Sequence, residues 1–598
     1  MLLSTYSQQT ASLPLIECSL TAIAIAVAFV WPSLASASFR RAEVVLGVVA
    51  RRPRLAIVIP GLTLLLLRVA MLPIAPIPLP FIPDDFSFLL AGNTFASGHL
   101  TNPTPAMWIA FESFHVDMHP SYMSMYFPAQ GLLLAAGKVF LGHPWFGVLV
   151  CGALMCSAIC WMLRAWLPPT WAFLGAMVAV LRIGLFSYWT NTYTGGAEIA
   201  ALGGALILGA LPRYIHSSRR REALLLAVGV VLLMTSRPYE GMLLCLPVLA
   251  FLIRWFLKTR NQSARRLVLQ SAVVPLLVLA AAGSWMAYYN FRVFGSPLTL
   301  PYTVNRATYA KAPYYVWQSA RPQPVYRHAA LADFYSHEEM EEYLKFHKPY
   351  GFLSQTLIKG VRAFLFFAGF ALAIPLIMAP RALLDRRIRF LVICALVLAL
   401  GMMIEIFLIP HYLAPFTVVF YAIGLQCMRH LRVWRPEGRP VGLALVRTCV
   451  ALCVVMAAIR LCTHPLHIVI KPWPASYWSG MWYGPEHFGI ERASIERRLQ
   501  QAPGKHLVIV RYSPDHYALN EWVYNSPDID KSKIIWAREM DQASNQELIR
   551  HYRDRRIWLV QPDLHGEAQC KPYPHPESDK SADPPSELAS AQELLTSR

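Results

Sequence analysis

The sequence is poor in charged residues, and acidic residues are the scarcer kind. Charged residues make up 15% of the 598 residues, with 35 Asp and Glu against 54 Lys and Arg, whereas soluble domains carry about 25% charged residues. Hydrophobic residues make up 56%. Because many apolar runs approach the roughly 20 residues that cross a bilayer, the composition excludes an ordinary soluble protein and indicates a multi-pass membrane protein.

The spacing of the cysteines predicts neither a metal site nor a disulfide framework. The chain has 11 cysteines but no CxxC pair, and most of them lie inside apolar runs, where cysteine acts as a small buried apolar residue. The segment from Met1 to Phe39 contains neither Lys nor Arg, so it lacks the basic n-region of a signal peptide. We therefore expect an uncleaved first helix from Leu13 to about Ala35.

The positive charge of the chain is concentrated in short loops. A formal net charge of +19 would suggest a nucleic-acid partner in a soluble protein. Here the arginines lie between apolar runs, as in Arg219 to Arg221 and Arg386 to Arg389, which is typical of cytoplasmic loops. The charge pattern therefore indicates a bilayer partner and no nucleic acid.

Loop charge also predicts a topology for residues 1–463. It gives about twelve transmembrane helices with both ends outside the cytoplasm. Two long outer loops are expected, at residues 81–143 and 289–355. Within the first of them, the apolar stretch Ala129 to Leu141 is too short to span comfortably and predicts an interfacial or re-entrant helix.

The composition changes after Cys462. Residues 464–566 are predicted to form a small extracytoplasmic α/β domain, and the tail, residues 567–598, is rich in Pro, Ser, Asp and Glu and is predicted to be disordered. Short apolar runs predict strands, and amphipathic segments predict helices. The strands are His506 to Tyr512, Lys533 to Ala537 and Arg556 to Val560, and the helices are Ile490 to Gln501 and Gln542 to Asp554.

Two adjacent carboxylates, Asp84 and Asp85, follow the long apolar run Leu55 to Pro80. Acids at a lipid boundary are costly and are commonly functional. A carboxylate there can act as general base on an acceptor hydroxyl or amine. The competing interpretation is that the pair only caps the helix that follows, since Asp is common at helix N-termini.

The remaining polar residues collect on the predicted outer side. Arg and His there can neutralise a phosphate leaving group, which suggests group transfer from a phosphorylated lipid. The candidates for substrate or phosphate binding are His115, His119, Arg237, Arg292, Arg306 and His411. Arg237 stands out because an arginine at an outer helix end departs from the charge rule, although a local pair with Glu240 would also explain it. Aromatic residues of these loops that can cover a sugar or mark the interface are Trp108, Tyr122, Tyr126, Tyr188, Trp189 and Tyr193.

Three short stretches resemble the GT-C glycosyltransferases. This group includes the protein O-mannosyltransferases and the aminoarabinose and rhizobial lipopolysaccharide sugar transferases. The matching stretches are Asp84-Asp85 followed by FSFLLAGNTFASG, then Met118-His119-Pro120-Ser121-Tyr122, and the turn Tyr193-Thr194-Gly195-Gly196. The resemblance covers roughly the first two-fifths of the chain, and beyond it only the many helices and the outer C-terminal domain agree.

The resemblance implies a GT-C-like inverting transferase that moves a sugar from a polyprenyl-phosphate donor to a glycan, lipid or protein acceptor. The first acid of the pair would be the catalytic base, which is Asp84, and the second, usually Glu, is Asp85. The lysine of the family's Lys-Pro-Pro-Leu-Tyr is replaced by His119. Some relatives bind a divalent metal near this loop, for which Asp85, His115 and His119 would be the ligands. The implied location is the inner membrane, with the site facing the periplasm.

Two other functions remain open at this point. A flippase or transporter of lipid-linked sugars would carry ionisable groups near the membrane midplane, whereas here they gather at one end of the helices, with Glu405 as an exception. A non-catalytic assembly component would use the C-terminal domain for docking.

Overall fold

The computed structural model describes residues 10–11, 13–463, 469–470, 489–564 and 569–574, and most of these residues are helical. The chain forms two units. The first contains Met1–Pro105, Ser113–Gly489 and Ala518–Glu521, and the second contains Ala106–Glu112, Ile490–Tyr517 and Trp522–Arg598. The boundary predicted between residues 463 and 464 falls at the edge of the described residues and stays a prediction.

The first unit holds the apolar helices. Within the described residues, eight helices are long and apolar enough to cross a membrane, so the chain is a multi-pass membrane protein. These are Leu13–Val30, Pro53–Ala70, Pro144–Trp166, Ala197–Ser217, Pro238–Lys258, Arg265–Phe294, Pro410–Arg432 and Val441–Cys462. Shorter apolar helices are Pro128–Leu141, Pro169–Gly184, Ile374–Leu383 and Arg389–Ile404. The predicted number of about twelve crossings is reached only by counting shorter helices as well.

Two helix boundaries differ from the prediction. The second membrane helix ends at Ala70 rather than Pro80, because Pro73, Pro76, Pro78 and Pro80 follow and proline has no backbone N–H to continue a helix. The residues that follow the predicted first helix form a further helix, Ser36–Arg51, which ends just before Pro53.

The long loop predicted at residues 289–355 contains structure of its own. The preceding helix, Gln262–Phe294, has 33 residues and extends into the predicted loop. The helices Pro301–Tyr309, Ala329–Asp333 and Glu339–His347 follow. The next long helix, Gly351–Phe367, begins slightly before the predicted Thr356.

A buried arginine fixes the chain after the Pro53–Ala70 helix. Arg68 is fully buried. Its Nη1 donates to the carbonyl oxygen of Ala75 at 2.8 Å and its Nε to Asn191 Oδ1 at 3.1 Å, and its guanidinium lies 4.5 Å from the ring centroid of Trp145. A charge inside an apolar helix is tolerated when it is paired in this way. Arg68 thereby joins the segment that leads to Asp84 to the segment around Asn191.

The second unit contains a small mixed sheet. Lys505–Val510 lies in its centre, parallel to Ile534–Arg538 on one side and to Arg555–Val560 on the other. The predicted strands and the predicted helices form, the helices as Ile490–Gln501 and Gln542–His551. The core lies between the sheet and the first of these helices. It contains Ile495, Leu499, Val508, Trp536 and Val560.

The predicted disorder of residues 567–598 is wrong at its beginning. Cys570–Pro572 forms an edge strand, antiparallel to Arg555–Val560, because its backbone completes the hydrogen bonds of that strand's free side. Residues 575–598 of the predicted tail lie outside the described residues.

Candidate active site

Asp84 and Asp85 lie in the first turn of the helix Pro83–Ala96. Pro83 is the first helical residue, where its missing N–H costs nothing, and carboxylates in a first turn are favoured by the helix dipole. The residue at the N-cap is Ile82, so neither acid is the capping residue. The two acids differ in exposure, since Asp85 is fully buried and the Asp84 side chain is 26% exposed.

The Asp84 carboxylate has two polar neighbours from the loop after this helix. The hydroxyl of Tyr126 donates to Oδ1, and Nδ1 of His115 lies 3.5 Å from Oδ2. Burial would raise the pKa of Asp84, but the charge of His115, the hydrogen bond from Tyr126 and the charge of Arg237 hold it below its usual value. Asp84 is therefore a carboxylate at neutral pH, able to accept a proton.

His115 reaches Asp84 through an uncommon backbone conformation. Its φ is +59°, a left-handed region that side chains with a Cβ rarely adopt. The conformation is held by its carbonyl oxygen, which accepts from Ser87 Oγ at 2.6 Å and from the N–H of Met125 at 3.1 Å. Such strain is concentrated at functional sites, and here it directs an imidazole towards a carboxylate.

Tyr126 is fixed by aromatic contacts on several sides. Its ring is stacked on Phe88, with centroids 4.2 Å apart and an interplanar angle of 14°. The rings of His115 and Tyr302 meet it edge-on at 5.8 Å and 5.7 Å. Burial and the negative charge of Asp84 raise the pKa of Tyr126 well above its usual value. It therefore stays a neutral phenol that donates to Asp84.

Arg237 precedes the membrane helix Pro238–Lys258. It is buried, it donates from Nη2 to the carbonyl oxygen of Gly195 at 3.0 Å, and it lies 4.6 Å from the ring centroid of Tyr412. Its Nη1 is 4.0 Å from Glu240, so the local pair considered from the sequence does form. Burial disfavours the charge, but Tyr302 and Glu240 raise the pKa of Arg237 above its usual value, so the guanidinium stays cationic.

A small pocket lies beside Tyr126 and Arg237. Gly195 and Gly196, with φ of +87° and +59°, form the tight turn that begins the helix Ala197–Ser217. A helix N-terminus and a guanidinium on one pocket favour an anion. The lining residues are Phe88, Tyr126, Phe127, Gln130, Gly195, Gly196, Ser236, Arg237 and Tyr302.

Asp85 connects the acidic helix to that turn. Its Oδ1 accepts from the N–H of Tyr193 at 2.9 Å, and its Oδ2 accepts from the N–H of Phe81 at 3.5 Å. Gln130 supports the same turn by donating from Nε2 to the carbonyl oxygen of Tyr193 at 2.9 Å. Asp85 is therefore placed to position the turn, whereas the Asp84 carboxylate is partly exposed.

His411 lies against the other side of the turn. It is buried, its Nδ1 is 2.8 Å from the hydroxyl of Tyr188, and its N–H donates to that hydroxyl at 3.0 Å. A Cβ added to Gly195 would lie 3.0 Å from the His411 ring. His411 is thus a close neighbour of the turn, held in place by Tyr188.

Three further predicted residues have other surroundings. Arg306 is buried and donates from Nη1 to both carboxylate oxygens of Glu339 at 2.7 Å. Arg292 is exposed and donates to the hydroxyl of Tyr288 at 3.0 Å. His119 is exposed and precedes Pro120 through a cis peptide bond. The contacts of Arg306 are those of a structural ion pair.

The proposed metal ligands do not fit a metal. Asp85 has its carboxylate oxygens on backbone N–H groups, His115 faces Asp84, and His119 is exposed. Among the described residues no three His, Cys, Asp or Glu side chains are grouped as a metal site would require. No step of the chemistry below uses a metal.

Sequence reasoning missed the contacts that shape the site. Tyr126 was considered only as an aromatic that covers a sugar, and Ser87 and Gln130 were not considered at all. Tyr126 is 42 residues from Asp84 in the chain, and no spacing in the sequence indicates that the two meet. Together, fold and site define a multi-pass helical membrane protein in which a guanidinium and the tyrosine that donates to the Asp84 carboxylate line one pocket.

Neither a protein-family model nor a curated protein matches the chain. Solved structures do. The Archaeoglobus fulgidus oligosaccharyltransferase in its apo form is 11% identical with a TM-score of 0.48, covering 85% of this chain and 69% of that one. The same enzyme in complex with Zn and sulfate is 12% identical with a TM-score of 0.44, covering 85% and 67%. ArnT from Cupriavidus metallidurans bound to undecaprenyl phosphate is 14% identical with a TM-score of 0.43, covering 85% and 93%.

The oligosaccharyltransferase and ArnT both belong to the GT-C group that the sequence resembles. With TM-scores below 0.5 the likeness is coarse. The function proposed below rests on the geometry around Asp84.

Proposed function

We propose that the chain is a membrane glycosyltransferase that moves a sugar from a polyprenyl-phosphate donor to an acceptor, with Asp84 as general base. One observation carries the proposal. Tyr126, whose hydroxyl donates to Asp84, lines the same pocket as Arg237 and the Gly195-Gly196 turn. The proposed base is thus one hydrogen bond away from the space that the anion-binding group lines, and transfer from a phosphate leaving group requires both groups.

The reaction proceeds with inversion at the sugar C1. The acceptor hydroxyl or amine forms a bond to C1 from the face opposite the phosphate, and its proton passes to the Asp84 carboxylate. The bond between C1 and the phosphate oxygen breaks, and its electron pair stays on the phosphate. Arg237 neutralises this charge, with two parallel N–H donors available to phosphate oxygens.

The neighbours of Asp84 keep it in the reactive form. Because Tyr126 and His115 both favour the carboxylate over the neutral acid, Asp84 is ionised before the acceptor arrives. The aromatic ring of Tyr302 and the stacked pair Phe88 and Tyr126 offer apolar faces for the sugar or for the first units of the lipid. We place this site at the periplasmic face of the inner membrane, because the arginine-rich loops indicate the opposite, cytoplasmic side.

The test separates binding from turnover. Purified protein is given a panel of undecaprenyl-phosphate monosaccharides together with glycan, lipid and peptide acceptors, and release of undecaprenyl phosphate is measured. Asp84→Asn should lower turnover at least about a hundred-fold, since a general base contributes that much, while binding of undecaprenyl phosphate is kept. Arg237→Gln should lower both turnover and binding.

Asp333→Asn is the matched control, because Asp333 is exposed and pairs with His337. It should change neither quantity. An Asp84→Asn protein that turns over at the wild-type rate would remove Asp84 as the base. Movement of the intact lipid-linked sugar across reconstituted vesicles, without release of undecaprenyl phosphate, would instead establish a flippase.

The intramembrane acid Glu405 follows the helix Arg389–Ile404. Its backbone carbonyl accepts from the ammonium of Lys359, which also donates to the carbonyl of Met402 at 3.0 Å. This contact joins neighbouring helices through the backbone of residue 405, whereas the Glu405 side chain is buried and its Oε2 accepts no hydrogen bond from the described residues.

A further inference from the structure

A second cavity of about 290 Å³ opens among the helices of the first unit, a volume at the lower end of ligand pockets. Its walls come from Pro169–Ala179, Gly351–Phe367, the turn that follows Gly351–Phe367, and Thr417–Arg432. Tyr421 is the one lining residue with a polar group in its side chain. A cavity so apolar, among membrane helices, suits a hydrocarbon chain.

Two glycines leave the cavity open. A Cβ added to Gly360 or to Gly424 would meet no atom within 4 Å. Both residues line the cavity, so the space in front of them is free of other protein atoms. A larger side chain at either position can therefore fill the cavity without displacing its walls.

The length of the cavity matches one leaflet. It follows the last long helix of its wall from Phe420 to Met428, about 12 Å at 1.5 Å per residue. One leaflet contributes about 15 Å of hydrocarbon. The cavity therefore accommodates a single acyl chain that runs along the helices.

The face of the helix Thr417–Arg432 that lines the cavity continues towards arginines. Residues four apart share a helix face, so Gly424 and Met428, which line the cavity, continue to Arg432. The segments Arg381–Arg389 and Arg429–Arg439 together contain eight arginines and two acids. They are joined at Asp385, which accepts from Gln426 and lies 3.4 Å from His430 Nε2. The apolar cavity thus ends at a strongly basic rim.

We propose that this cavity binds one acyl chain of an anionic phospholipid, whose head group lies against Arg381 and Arg432. Both arginines are exposed, and basic residues at the end of membrane helices attract anionic lipid head groups. The positive charge of the arginines favours an anionic lipid over a zwitterionic one, because a zwitterionic head group carries no net negative charge. The site lies at the arginine-rich end of the helices, away from the Asp84 residue used in catalysis, and does not depend on the proposed transferase reaction.

Native mass spectrometry of the full chain in mild detergent tests the proposal, with phosphatidylglycerol and phosphatidylcholine of equal chain length as probes. Phosphatidylglycerol should bind preferentially, and Gly424→Leu should abolish that preference. Arg381→Gln combined with Arg432→Gln should weaken phosphatidylglycerol binding roughly thirty-fold, about five-fold for each arginine. If Gly424→Leu does not fold, the variant that lacks both arginines still tests the proposal.

Two matched controls accompany these variants. Gly283→Leu adds the same side chain at another glycine with no neighbouring atom within 4 Å. Arg219→Gln combined with Arg220→Gln removes two exposed arginines from a different arginine-rich loop. Both controls should bind phosphatidylglycerol as the wild type does. Equal binding of the two lipids, unchanged binding in Gly424→Leu, or displacement of phosphatidylglycerol by undecaprenyl phosphate would each overturn the proposal.

Discussion

At the scale of single residues, burial and neighbouring groups change the pKa of the acids near His115. Asp117, two residues after His115, is 2% exposed, and its Oδ1 accepts from Asn305 Nδ2 at 3.1 Å. Burial raises the pKa of Asp117 to about 7, although the hydrogen bond from Asn305 acts in the opposite direction. Asp84, in the first turn of the helix Pro83–Ala96, has its pKa lowered instead, by the charge of His115, the hydrogen bonds from His115 and Tyr126 and the charge of Arg237.

This contrast predicts a pH dependence of stability. Since the pKa of Asp117 is about 7 in the folded chain and about 3.9 when unfolded, the folded state holds the proton more tightly. Stability should fall as the pH rises from about 4 to about 7 and level off above it, by at most about 4 kcal/mol. Asp117→Asn should remove this slope, since the amide oxygen can still accept from Asn305.

The measurement is thermal unfolding in detergent at about pH 5 and about pH 8. Asp117→Asn should be more stable than the wild type at the higher pH and similar to it at the lower pH. Equal slopes for both proteins would show that Asp117 is not the titrating group. Asp333→Asn, at an exposed position, is the control and should retain the wild-type slope.

At the scale of elements, Asp85 joins the helix Pro83–Ala96 to the turn that begins Ala197–Ser217. Its Oδ1 accepts the N–H of Tyr193, so the acid of one element fixes the backbone of another. Hydrogen bonds to charged groups contribute about 1.5–3 kcal/mol. The position of the Gly195-Gly196 turn relative to Asp84 therefore depends on Asp85.

Replacing Asp85 by Asn should separate positioning from chemistry. The variant keeps one acceptor oxygen and loses the charge, so unfolding should require about 1–3 kcal/mol less. Binding of undecaprenyl phosphate should weaken, because the turn that lines the pocket is less firmly held. In Asp84→Asn, by contrast, binding is kept and turnover is lost. An Asp85→Asn protein with wild-type binding and stability but no turnover would instead make Asp85 a catalytic residue.

How far the sequence predicts these elements depends on the range of the interactions. Apolar runs and prolines act locally, so the start of Pro144–Trp166 is predicted by the end of the outer loop at residue 143, and the early end of Pro53–Ala70 follows from the four prolines after it. The acid pair was found because its position at a lipid boundary is itself unusual. The hydrogen bond from Tyr126 to Asp84 is not predicted. It depends on the path of the loop between the two residues and on the backbone conformation of His115, which no local pattern encodes.

At the scale of the whole molecule, the proposed function needs the two ends of the helices to face different compartments. Ser97 is exposed just after the helix that carries Asp84, and Arg435 is exposed just after the helix that carries Arg432. Positively charged loops stay in the cytoplasm. Ser97 should therefore be accessible from outside the inner membrane and Arg435 from the cytoplasm.

Single cysteines at these positions test the arrangement with a membrane-impermeant maleimide. The exposed cysteines Cys18 and Cys462 and the half-buried cysteines Cys245 and Cys570 are first replaced by Ser, since the other native cysteines are buried. Ser97→Cys should be labelled once the outer membrane is permeable, and Arg435→Cys only after the inner membrane is broken. If both positions react only after the inner membrane is broken, a donor displayed on the outer leaflet would have no route to Asp84. If both positions react from outside, the basic rim would not lie in the cytoplasmic leaflet, so the labelling pattern tests both proposed sites.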